Sequence, residues 1–175
     1  TRVLVVGTGV VGRGIARAFQ GAGCVVEGLS RKGASQEPFA RVHPVAEFAA
    51  AVRGARWLVL ACPLTEDTWH LMDRGRLSQC DGAYLINVGR GALVQEELLP
   101  EALDQGWLRG AALDVFETEP LPAASPLWDR PEVTVSPHIS GLTTIPGAGN
   151  GFLATLAAVE AGQRPALAVD PARGY

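Results

Sequence analysis

The run "INVGRGALV" (86–94) sets an arginine between two glycines at the end of an apolar stretch of strand length. A guanidinium stays charged at any working pH and presents a planar fork of donors, which suits a carboxylate and an adjacent carbonyl oxygen. The flanking glycines let a bound molecule come close to the backbone of Arg90. In isolation, "GRG" reads first as a surface arginine in a turn. His138, in "SPHIS", follows a short strand-like run, at the end where open α/β sheets place their sites, and an imidazole titrates where protons are moved near neutral pH. Asp114 closes the apolar run "GAALDVF", where a buried carboxylate needs hydrogen-bonding partners. The other histidines read as surface or packing residues: His43 precedes a proline at an expected helix start, and His70 lies on a polar helical or hinge segment.

A second centre opens the chain. "VVGTGVVGRG" holds Gly7, Gly9 and Gly12 in the G-x-G-x-x-G spacing, between an expected strand and an expected helix. In that setting Gly7 permits the tight turn, Gly9 lets a pyrophosphate approach the backbone, and Gly12 allows close helix–strand packing. Gly7, Thr8, Gly9, Val10, Val11 and Gly12 are therefore candidate dinucleotide contacts; a turn that serves packing alone is the alternative. The following strand would ordinarily end in an acid that grips ribose hydroxyls. Here it ends "GLSRKG", and Glu27 sits inside the strand, where it reads as an ordinary half-exposed residue. Ser30, Arg31 and Lys32 offer a hydroxyl and two cations, which suit a 2'-phosphate and favour NADP over NAD. The competing reading is a solvated basic turn.

Groups so far apart in sequence need a sheet to collect them. Strand-length apolar runs recur at 2–7, 24–29, 57–62, 83–88, 110–116 and 133–137, with helical patterns at 10–21, 44–53, 73–80, 95–106 and 150–161. This alternation predicts an α/β fold: a Rossmann-type, doubly wound parallel sheet in a single domain, 1–146, followed by a helix and tail, 147–175. Pro120, Pro122, Pro126 and Pro131 make 117–132 an irregular connection, and loops that long are usually functional. At 175 residues and 47% hydrophobic content, one substantial core is expected. A net charge of −3 advertises neither nucleic acid nor an anionic membrane as partner. Apolar runs such as 57–62 fall far short of the roughly 20 residues that span a bilayer. Cys24, Cys62 and Cys80 are odd in number and widely spaced, which argues against a disulfide framework or a metal site and for a reducing, cytoplasmic setting.

From residue 57 onward the chain resembles the D-isomer-specific 2-hydroxyacid dehydrogenase family. The matching pieces are "LVLACPLTEDTWHLM", "LINVGRGALVQEELLPEAL", "GAALDVFETEPLP", "SPLWDRPEVTVSPHISGLT" and the closing "RGY". The "SPLW" loop, the short gap before "SPH" and the "RGY" ending are most similar to the glyoxylate and hydroxypyruvate reductase branch, whose members tend to use NADP. The resemblance implies that Arg90 binds and polarises a 2-oxo acid, that His138 gives a proton to the developing alkoxide, and that Glu119 orients the imidazole and favours its protonated form. Glu117 is the near competitor, but the family motif selects the acid directly before proline. The resemblance also places Asp114 at the nicotinamide carboxamide and the backbone of Val88 and Gly89 along the nicotinamide half, with Arg90, His138, Ser140 and Gly141 among the coenzyme contacts. Cys62 and Pro63 fall on the adenosine side, Cys62 as a small wall residue and not a nucleophile. Thr68 is a weaker carry-over, with a helix cap as its structural alternative.

Members of the family have a second, substrate-binding domain built mainly from sequence before the glycine turn. The resemblance covers the coenzyme half alone, so Thr1 is expected to mark a fragment boundary. The helix bearing Phe152, Leu153 and Leu156 is expected to pack on the absent domain. The expected activity is NADP-preferring reduction of a small 2-oxo acid by a homodimeric enzyme, with the isolated chain binding coenzyme and turning over little. A non-enzymatic dinucleotide-sensing module, such as a dehydrogenase-like corepressor, is the alternative, because such proteins can retain Arg90, Glu119 and His138.

Overall fold

The run "RVLVV" forms β1 (Arg2–Val6), and its two-residue alternation sends Leu4 and Val6 to one face of a sheet and Val3 and Val5 to the other. Both sets are buried, so beyond Arg2 the strand is apolar and does not alternate with polar residues. The computed structural model describes residues 1–141 and 145–170. Within it β1 is joined by β2 (Val25–Ser30), β3 (Arg41–Pro44), β4 (Trp57–Leu60), β5 (Ala83–Asn87), β6 (Leu108–Leu113) and β7 (Val133–Val135). Every pairing is parallel, in the order β3-β2-β1-β4-β5-β6-β7. The chain winds outward from β1 to β3, then returns to lay β4 on the other side of β1. That reversal opens a crevice at the carboxyl ends of β1 and β4, where open α/β sheets bind ligands.

Helices cover both faces. On one, α1 (Val10–Gly21) lays Ala16, Ile15 and Phe19 over Val3, Val5, Val26 and Val59. On the other, α2 (Phe48–Val52), α3 (Arg74–Leu77) and α4 (Leu99–Asp104) bring Phe48, Val52, Leu77 and Leu99 to Leu4, Leu58, Leu60 and Leu85. The result is the doubly wound, Rossmann-type sheet that the alternation of strands and helices predicts. Residues Thr1–His138 form one compact unit and the chain from Ile139 a second. In the second unit α5 (Ile145–Glu160) has no buried residue; Ile145, Phe152, Leu153 and Val159 are all exposed. No helix among the described residues is long and apolar enough to cross a membrane. The closing "RGY" and the last two residues of "SPHISGLT" lie outside the described residues.

Three expectations need correction. Residues 41–44 form the edge strand β3, so His43 lies in a strand and not at a helix start, and the helical stretch shrinks to α2 behind a 3-10 turn at Val45–Glu47. Pro44 is tolerated because it ends an edge strand. His43 is buried, and its Nε2 lies 2.8 Å from Glu27 Oε2. Glu27 is accordingly no ordinary half-exposed residue: Arg2 Nη2 donates to the same oxygen at 2.9 Å. Burial opposes ionisation of Glu27, but the hydrogen bonds with His43 and Arg2 outweigh it and hold the carboxyl below its usual range. The pattern at 95–106 likewise divides into a 3-10 turn at Glu96–Leu98 and the short α4.

Leu58 of β4 has no exposed surface and sits within the larger cluster. Leu58→Ala is expected to lower the unfolding free energy by about 2–5 kcal/mol in urea denaturation, with an unchanged slope. A loss well under about 1 kcal/mol would contradict this packing.

Candidate active and coenzyme site

At the crevice, a Cβ on Gly7 would lie 2.7 Å from both Ala61 O and Cys62 N, and one on Gly12 would overlap the Gly7 carbonyl. Both positions are closed by packing of the β1 turn against β4 and α1. Gly9 is different, since a Cβ there would meet nothing within 4 Å. The first backbone N–H groups of α1 therefore start beside open space, with no acidic side chain in the first turn, as a pyrophosphate requires. Val10 and Val11 are exposed there, and the Thr8 methyl packs against β2 at Gly28. Gly7 N donates to Leu29 O at 2.9 Å, which ties the glycine turn to the end of β2. Immediately beyond, Ser30 Oγ accepts from Gly33 N at 3.1 Å and closes a tight turn that leaves Arg31 and Lys32 exposed. These residues fit a dinucleotide with its ribose toward the end of β2.

At the end of β4, Cys62 is half-buried and burial pushes its thiol up to about 11, so it is a neutral wall at physiological pH. Pro63 is exposed beside it. Thr68 is seen as a cap: its Oγ1 accepts from Thr65 N at 2.7 Å and donates to Pro63 O at 2.8 Å.

The Arg90 turn is held by a residue to which the sequence reading assigned no role. Asn87, the last residue of β5, is buried; its Oδ1 accepts from Gly89 N at 3.1 Å and its Nδ2 donates to Arg90 O at 2.9 Å. A carboxamide ending an apolar strand two residues before "GRG" was the available signal. The Val88–Gly89–Arg90 backbone is thus closed over by a side chain, while Arg90 itself is exposed and donates from Nη1 to Gly89 O at 2.7 Å. Downstream, Leu93 and Val94 are buried, and His70 N and Met72 N donate to Ala92 O and Leu93 O at 2.8 and 2.9 Å. Gly91 admits the chain after β6: a Cβ on it would overlap the Phe116 carbonyl and Glu117 N. The loop that follows β6 is therefore pressed against the Arg90 turn.

Asp114, buried at the end of β6, receives a hydrogen bond from Ser136 Oγ at 2.5 Å, and its carbonyl accepts from His138 N at 2.9 Å. His138 has φ +54°, a left-handed conformation uncommon for a residue with a side chain and one that recurs at functional positions. Its Nδ1 donates to Glu119 Oε2 at 2.8 Å, and Glu119 Oε1 accepts from Phe116 N at 3.1 Å. The His138 hydrogen bond, then the Phe116 N–H, hold the Glu119 carboxyl below its usual range, with the charges of His138 and Arg90 adding to the shift. Glu117 does not reach His138: its Oε1 lies 2.9 Å from His70 Nε2 and accepts from Glu96 N at 3.2 Å. His70 is half-buried and stacks on Trp69. Arg90, Glu119 and His138 thus belong to loops that leave neighbouring strands at one edge, with His138 Nε2 lacking a partner among the described residues. Ser140 and Gly141 lie in the second unit and are exposed there.

The family described as D-isomer specific 2-hydroxyacid dehydrogenase, NAD binding domain, matches residues 1–140. The chain belongs to it. Among 2-hydroxyacid dehydrogenases, a curated relative is glyoxylate/hydroxypyruvate reductase A of Serratia proteamaculans, 38% identical over 172 residues, which are 98% of this chain and 55% of that protein. A solved D-isomer specific 2-hydroxyacid dehydrogenase from Xanthobacter autotrophicus Py2, in complex with NADPH and MES, is 37% identical with a TM-score of 0.93, covering 99% of this chain and 72% of that one. The NADPH-dependent glyoxylate/hydroxypyruvate reductase of Sinorhizobium meliloti, in complex with NADP and sulfate, is 32% identical with a TM-score of 0.92, covering 100% and 57%. The chain spans about half the length of the curated relative that it matches. It is an NAD(P)-binding domain of this dehydrogenase family.

Because the folded-state pKa of Glu119 is depressed, its pairing stabilises the fold above the ordinary carboxylate range, and that contribution is lost as pH falls through the lowered value. In His138→Ala the Glu119 midpoint, followed by carbon NMR, is expected to rise toward the ordinary value. An unmoved midpoint would show that the pair does not set it.

Proposed function

We propose that this chain is the coenzyme half of an NADP-preferring 2-hydroxyacid dehydrogenase that works in the reductive direction on a small 2-oxo acid such as glyoxylate or hydroxypyruvate. The observation that carries the reading is the Glu119–His138 hydrogen bond, formed beside the Arg90 turn at the carboxyl edge of the sheet. When bound, the reduced nicotinamide supplies the hydride. Arg90 binds the substrate carboxylate and draws electron density from the adjacent carbonyl oxygen. His138, held at Nδ1 by Glu119, presents Nε2 to that oxygen and gives it the proton that the developing alkoxide requires. Glu119 is the positioning residue: with both oxygens engaged, it fixes the ring in one orientation.

The same reading assigns the rest of the edge. The glycine turn from Gly7 to Gly12 takes the pyrophosphate, and Ser30, Arg31 and Lys32 take the 2'-phosphate, in line with relatives solved with NADPH and NADP. Cys62, Pro63 and Thr68 wall the adenosine side, while Val88, Gly89, Asp114, Ser140 and Gly141 line the nicotinamide half. Residues 1–146 act as the coenzyme domain, and 147–175 present the apolar residues of α5 to the remaining half of a longer protein. That protein is a cytoplasmic homodimer in this account.

Two measurements test the proposal in the intact enzyme. Arg90→Met is expected to lower kcat for NADPH-dependent glyoxylate reduction by roughly 10²–10³-fold, and His138→Gln by roughly 10²–10⁴-fold, far more than either changes NADPH affinity. An intact protein that binds NADPH yet reduces neither glyoxylate nor hydroxypyruvate would overturn the reading in favour of a dinucleotide-sensing module. In titrations, NADPH is expected to bind more tightly than NADH, and Arg31→Asp is expected to narrow the gap. Equal affinities, unaltered by that substitution, would remove the NADP preference.

A further inference from the structure

Arg13 and Gln36 have no part in the assignments above, yet they meet at the glycine turn. Arg13 follows Gly12 in the first turns of α1, and Gln36 lies in the connection between β2 and β3, four residues beyond Lys32. With its amide nitrogen toward the glycine turn, Gln36 donates to Thr8 O at 3.1 Å and to Thr8 Oγ1 at 3.2 Å, and its oxygen accepts from Arg13 Nη1. One carboxamide therefore joins three pieces: the loop between Gly7 and Gly9, the start of α1, and the connection that carries Arg31 and Lys32. A second tie, from Gln20 Nε2 to Pro38 O at 2.6 Å, pins the same connection farther along α1, and Phe39 anchors it in the core.

The choice of a neutral partner has an electrostatic consequence. A glutamate at position 36 would hold Arg13 equally well but would cancel its charge; a carboxamide fixes the guanidinium and leaves its full positive charge available. No carboxylate pairs with Arg13 among the described residues. The open backbone at Gly9 already serves a pyrophosphate, whereas Gln36 draws Arg13 sideways, toward the basic connection after β2. We infer that Arg13 is a third cation for the 2'-phosphate of the coenzyme and that Gln36 is the residue that positions it. The inference rests on the NADP reading proposed above. It adds a determinant of coenzyme choice that lies on α1, outside the Ser30–Lys32 turn.

The test is fluorescence titration of the full-length protein with NADPH and with NADH at low ionic strength. Arg13→Gln is expected to weaken NADPH about tenfold, the scale of one charge-assisted hydrogen bond, and to change NADH by less than about twofold. Arg13→Lys is expected to keep most of the NADPH affinity, which separates charge from helix integrity. Gln36→Glu is expected to weaken NADPH selectively, because it pairs with Arg13 and repels phosphate. Equal losses for both coenzymes would put Arg13 on the pyrophosphate and overturn the inference, as would unchanged NADPH affinity in Arg13→Gln. If the wild-type protein does not discriminate between the coenzymes, the NADP reading itself fails; if it does and Arg13→Gln discriminates as strongly as the wild type, only the role of Arg13 fails.

Discussion

The hydrogen bond between His138 Nδ1 and Glu119 Oε2 joins two segments that leave different strands, and it forms only because the strands are parallel. In a parallel sheet every carboxyl end lies on one edge, so the segments after β5, β6 and β7 emerge as neighbours. Gly91 supplies the remaining constraint. Its missing side chain lets the backbone of Phe116 and Glu117 settle against the Arg90 turn, which fixes where the Glu119 loop begins. Asp114 then ties the two outer strands by accepting from Ser136 and His138. The guanidinium, imidazole and carboxylate are thus placed by backbone contacts, and the side chains need only short, well-determined reaches.

The coenzyme side of the edge follows a different logic, in which backbone and local charge matter more than side-chain shape. The net charge is −3, yet Arg31 and Lys32 are exposed side by side after β2, and Arg13 reaches Gln36 of the same connection. Such local concentration of charge steers an anion to the crevice regardless of the overall balance. Cys62 stays protonated, and the Thr65–Thr68 cap consumes its own polar groups. The acidic group nearest in sequence to the β2 end is occupied elsewhere: Glu27 is engaged by Arg2 and His43 inside the sheet edge.

Much of this was legible in the residues. The glycine spacing, the apolar runs and their alternation with helical patterns specify the sheet, because strands buried on both faces must be apolar along their whole length. Arg90, Asp114 and His138 stand out as polar groups at or just beyond the ends of such runs, whereas Glu119 was picked out over Glu117 only by the resemblance of "ETEP" to the family motif. What escaped was set by pairing across the sheet. β3 is four residues long and ends in proline, so it carries too little periodicity to announce itself, and the Glu27–His43 pair could not be foreseen without it. Asn87 looked like the tail of a strand until its amide was seen to hold both Gly89 and Arg90. Gln36, in an irregular loop, has no local pattern at all; its role exists only in the contact with Thr8 and Arg13.

The central claim is that Arg90 and His138 act together on one carbonyl oxygen while Glu119 holds the ring. A crystal structure of the intact protein with NADP and oxamate, an unreactive 2-oxo acid analogue, tests it most directly. The account predicts the oxamate carbonyl oxygen within hydrogen-bond reach of both the Arg90 guanidinium and His138 Nε2, with Nδ1 still on Glu119. An analogue bound away from Arg90, or a His138 ring turned so that Nδ1 has left Glu119, would contradict it.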